Sequence, residues 1–191
     1  CAVGTYLLAL HLTGSMPGSV LAAVVFAFAP IRMSQLGLLN LLCVHWSPFA
    51  LLFLHRYLER GRLREMLLFA VFMGLQFLSS SYNGVQALFA AAMLAVYGVV
   101  ISRDRRSARW LLKLGLGFAL VGVVVFPLYL KYRAVQAEVG YTTSFLFSDI
   151  HKADILDYLK IPRQGLLYGS LVGTCGGFHN HLFPGFLPLV L

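Results

Sequence analysis

The chain has 191 residues, of which 59% are hydrophobic and only 12% charged, with a mean hydropathy of +0.80. A soluble domain carries such a composition badly, so the chain reads as an integral membrane protein. Its net charge of +8 sits in short loops between apolar runs, where anionic lipid headgroups account for it, and this argues against a nucleic-acid partner.

In chain order, residues 1–12 are apolar and read as the end of a helix whose start precedes Cys1, which makes the chain a fragment of a longer protein. A turn rich in glycine and serine follows, with Pro17 placed to start a second span over 18–30. Residues 34–54 form the organising run: at about 1.5 Å per residue they are long enough to cross the roughly 30 Å hydrocarbon layer. Arg32 stands alone before this run, whereas Arg56, Arg60, Arg62 and Arg64 crowd its far end. Short loops rich in arginine stay in the cytoplasm, so loop 55–65 is placed inside and Arg32 outside.

Residues 66–80 lead outward, the Ser-Ser-Ser-Tyr-Asn-Gly run at 79–84 reads as a tight turn, and 84–101 lead back to a second arginine-rich loop at 102–110. Two basic loops separated by two spans fall on one side, in agreement with the first assignment. A span over 111–130, with Pro127 placed to kink it, leads out to a more polar extracytoplasmic segment, 131–181. Within that segment a short amphipathic helix ends before Pro162, its aspartates at 149, 154 and 157 facing water or a substrate. A final span begins at 182–191. The expected fold is therefore all-α, a polytopic transmembrane helix bundle forming a single domain.

Few side chains in this pattern carry chemistry. Arg32 either snorkels to headgroups or offers its planar donor fork to a phosphate or carboxylate. His45, about 16 Å into the 34–54 run, reads as a packing histidine near the bilayer middle. Tyr82 and Asn83, at the outer turn, suit an interfacial aromatic belt and a sugar contact equally well. His179 and His181 could give two imidazoles to a divalent metal ion, a weak pattern without a third ligand. The three cysteines are scattered and define neither a metal site nor a disulfide framework.

The runs Ala-Phe-Ala-Pro-Ile-Arg at 27–32, Gln-Leu-Gly-Leu-Leu-Asn at 35–40, Trp-Ser-Pro at 46–48, Arg-Tyr-Leu at 56–58, Leu-Gln-Phe-Leu-Ser-Ser-Ser-Tyr at 75–82 and Leu-Phe-Pro-Gly at 182–185 resemble bacterial multi-span membrane proteins of the GT-C glycosyltransferase superfamily. The resemblance implies an enzyme of the bacterial cytoplasmic membrane that takes a sugar from a polyprenyl-phosphate carrier and passes it to an acceptor at the outer face. It implies an acidic base in an external loop upstream of Cys1, sometimes beside a divalent metal ion, and donor-phosphate and sugar contacts from Arg32 and Tyr82. Leu38 stands where a polar residue is expected, and His179 and His181 where an acidic one is. The alternatives are a transporter of lipid-linked or small substrates and a non-catalytic membrane assembly subunit.

Overall fold

A computed structural model describes residues 1–29, 32, 42–101 and 107–140. Among them the secondary structure is helical, with six helices and no strand. The first two are short. Helix α1 (Ala2–Thr13) and helix α2 (Met16–Ala27) form a hairpin, with Ser15 closing the turn. Its hydroxyl accepts a hydrogen bond from the Gly18 amide at 3.3 Å, and Pro17 occupies the first turn of α2, where its missing N–H costs nothing. At 12 residues each, these helices are about 18 Å long, short of a full crossing.

Helix α3 (Ser47–Arg60) and helix α4 (Leu63–Ser79) make a second hairpin. Gly61 turns it in the left-handed region at φ 65°, a conformation that other residues adopt only with strain. The two helices are zipped by rings: Phe72 of α4 stacks on Phe49 and Phe53 of α3 at centroid distances of 5.2 and 5.4 Å. Helix α1 runs parallel to α3, its Gly4 against Pro48 and Phe49 and its His11 beside Glu59. Helix α4 is the centre of the bundle. It packs on α3, on α5 (Ser81–Ile101) and on α6 (Ala108–Val139), around the buried side chains of Tyr57, Met66, Phe69, Met73 and Val121.

Helices α5 and α6 are long and apolar enough to cross a membrane. Helix α5 is built inside out: it buries Asn83, Gly84, Ala87, Ala91, Ala95 and Gly98, while Val85, Phe89, Met93, Val96, Tyr97 and Val100 are each at least 60% exposed. The small residues let neighbouring backbones approach, so that a Cβ on Gly84 would lie 2.8 Å from the Phe77 ring. Helix α6 has 32 residues, about 48 Å by its rise, and it passes through Pro127 to a left-handed stop at Gly140.

Three expectations are corrected. The run 34–54 is not one helix, because residues 43–46 are non-helical and α3 starts only at Ser47; His45 therefore lies in a connection and not inside a helix. Pro48 gives the physical reason: it cannot donate a helical hydrogen bond and suits a first turn. The Asn-Gly pair makes no turn, since Ser80 alone separates α4 from α5 and its hydroxyl accepts from the Asn83 amide at 3.3 Å, which caps α5 and draws both residues into its first turn. The span expected over 111–130 continues as helix to Val139, because nothing after Leu130 breaks it until Gly140. The short amphipathic helix, its aspartates and the last span lie outside the described residues.

Candidate functional site

The direction of each helix sorts the loops between two ends of the bundle. At one end lie Arg32, the 43–46 connection, the start of α3, the end of α4 and the start of α5. At the other lie the α3–α4 turn and the start of α6.

The first end is organised by Gln76, whose side chain is fully buried. Its Nε2 donates to the Cys43 carbonyl at 2.6 Å, and its Oε1 accepts from the Trp46 and Ser47 amides at 3.2 Å each. One amide side chain thus supplies the partners that the interrupted backbone lacks, which lets a non-helical segment sit against an apolar bundle. Trp46, held in this way, packs on His45, Phe49 and Phe72 at centroid distances of 4.9, 6.4 and 5.7 Å.

Arg32 is half-buried at the same end. Its guanidinium carbon lies 4.1 Å from the centre of the Phe26 ring, and Nη1 donates to the Cys1 sulfur at 3.2 Å. A thiol is a weak acceptor and a ring face carries no charge, and no carboxylate among the described residues pairs with this arginine. Burial lowers its pKa from the usual value. The side chain is therefore a partly desolvated cation held in place by an aromatic face.

Tyr82 and Asn83 sit in the first turn of α5 at this end, and they point apart: Tyr82 is 61% exposed and Asn83 is buried. Tyr82 is thus placed to meet a molecule outside the protein, and Asn83 belongs to the packed interior. His179 and His181 lie outside the described residues.

The opposite end brings the α3–α4 turn beside the start of α6. The Tyr57 hydroxyl donates to the Trp110 carbonyl at 2.5 Å, the two rings stack at 5.5 Å, and Lys113 Nζ donates to the Gly61 carbonyl at 3.2 Å. An open cleft of about 710 Å³ lies between that turn and the start of α6, lined by Arg60, Arg62, Arg109 and Lys113 with Glu59 and Trp110. Beside it stands a constellation that sequence reasoning missed: His11, His55 and Glu59, with one potential ligand atom from each within 4.8 Å of the others. The spacing of His55 and Glu59, four apart on one helix face, was the available signal; His11 comes from another helix and adds none.

No protein-family model matches the chain, and no curated protein or solved structure is significantly similar to it.

Proposed function

We propose that the chain is part of a membrane-embedded glycosyltransferase of the GT-C kind, moving a sugar from a polyprenyl-phosphate carrier to an acceptor at the outer face of the bacterial cytoplasmic membrane. In this reading the helices form a polytopic bundle with the arginine loops in the cytoplasm. The inverted surface of α5 supports it, because large apolar side chains facing outward and small ones inward are at home in lipid and unfavourable in water. The observation that carries the enzymatic part is Arg32, a half-buried cation without a carboxylate partner among the described residues, at the end of the bundle remote from the α3–α4 turn.

The chemistry asks for such a group. When the glycosidic bond to phosphate breaks, negative charge grows on the departing phosphate oxygen, and a fixed guanidinium nearby stabilises that charge more than it stabilises the bound donor. Tyr82, exposed beside this end, is placed for a sugar or carrier contact. Replacing Arg32 with alanine in the complete protein is expected to lower transfer from a polyprenyl-phosphate sugar about 100-fold or more, the scale of losing one charge-stabilising donor. Full transfer with unchanged donor affinity would remove Arg32 from the site.

Transport of lipid-linked material is the second reading, and the interrupted backbone at 43–46 favours it, since broken helices line many transport pathways. Substrate uptake into proteoliposomes without a covalent product would select it.

A further inference from the structure

We infer that His11, His55 and Glu59 form a binding site for one divalent transition-metal ion of the zinc class, which ties α1 to α3. The site is independent of the transferase reading and lies at the opposite end of the bundle from Arg32. The packing of α1 on α3 brings it together: α1 runs parallel to α3, so that His11 in the last turn of α1 arrives beside His55 and Glu59, which share one face of α3.

Each imidazole nitrogen lies close to the Glu59 carboxylate. His11 Nε2 lies 3.0 Å from Glu59 Oε2, and His55 Nδ1 lies 3.6 Å from Glu59 Oε1. Ligands held about 2.0–2.1 Å from a tetrahedral zinc ion stand about 3.3 Å apart, close to these two values, and the cluster's spread of 4.8 Å closes to that spacing when the side chains turn onto the ion. The two imidazoles meet edge to face at a centroid distance of 5.3 Å, so their nitrogens converge without the rings stacking.

The ordinary account of such a group is an ion pair in which Glu59 accepts hydrogen bonds from two histidines. The two contacts lie at ion-pair distance, but the hydrogen bonds that this account requires are missing. Both nitrogens are sealed from solvent, and neither makes a hydrogen bond although a carboxylate oxygen is near. His55 Nδ1 stands just beyond hydrogen-bond distance of the carboxylate, and His11 Nε2, although 3.0 Å from it, makes no hydrogen bond. Leaving two such atoms buried without partners is costly, and an ion between them removes that cost. Glu59 is 45% exposed, which gives an ion and a fourth, water ligand a way in. Two imidazoles and one carboxylate select zinc or its first-row neighbours over magnesium and calcium, which prefer oxygen alone.

The test uses the complete protein in detergent micelles, stripped with a chelator and titrated with zinc chloride, with bound zinc also counted after desalting. One zinc per chain is expected, together with a zinc-dependent rise in thermal stability. Glu59→Gln preserves shape and is expected to weaken zinc binding about 10-fold or more, since the loss of even an outer partner of a metal ligand costs about 10–100-fold. His11→Ala should do the same, whereas the double variant H179A/H181A should bind as the parent does. If His11→Ala fails to fold, Glu59→Gln carries the test. No stoichiometric zinc in the parent, unchanged affinity in Glu59→Gln, or zinc lost only in H179A/H181A would each overturn the site.

Discussion

Gln76 and Tyr57 show how single polar side chains hold an apolar bundle together. Replacing Gln76 with leucine keeps the volume but strips partners from the Cys43 carbonyl and the Trp46 amide. Each polar group left unpaired in a dry setting costs about 1–3 kcal/mol, so a loss of about 2–4 kcal/mol is expected, read as a lower unfolding midpoint in detergent. Tyr57→Phe removes only the hydroxyl that donates to the Trp110 carbonyl, and it should cost about 1 kcal/mol in the same assay. Neither residue was singled out by its sequence context. A buried glutamine in an apolar run looks like any other polar interruption until the carbonyl and amides it serves are known. Arg32 was legible because its isolation from the other arginines is itself a sequence property; its cushion, the Phe26 ring, is a matter of packing.

At the scale of elements, apolar runs and basic loops were enough to locate most helices, because hydropathy changes sharply at each loop. Backbone breaks inside an apolar run were invisible to the same signal. The run 34–54 is hydrophobic across Cys43–Trp46, and only Pro48 hinted that a helix starts there. The Asn-Gly pair misled in the other direction: its tendency toward a turn was overruled by the Ser80 cap and by the close fit of Gly84 on Phe77. That fit yields a paired test. Gly84→Ala puts a methyl 2.8 Å from a buried ring and should destabilise by about 1–3 kcal/mol, while Gly115→Ala, with nothing within 4 Å of the new atom, should be neutral or slightly stabilising. Equal effects of the two substitutions on the unfolding midpoint would mean that α5 does not pack on α4 through its small face. The His11, His55 and Glu59 cluster belongs to this scale too, since it depends on α1 lying parallel to α3, a relation that no local pattern encodes.

At the scale of the molecule, the fold has a polarity. Arginines and lysine surround the cleft at one end, and the Gln76-pinned connection, Arg32 and Tyr82 occupy the other, with the apolar lengths of α5 and α6 between them. Both the proposed transfer at an outer face and the alternative of transport need those ends on opposite sides of a membrane. The most direct measurement is labelling of single cysteines with a membrane-impermeant maleimide in intact cells, in a background freed of Cys1, Cys43 and Cys175. Tyr82→Cys should react from outside, and Arg62→Cys only after the membrane is opened. Reaction of both positions from the same side would contradict the account.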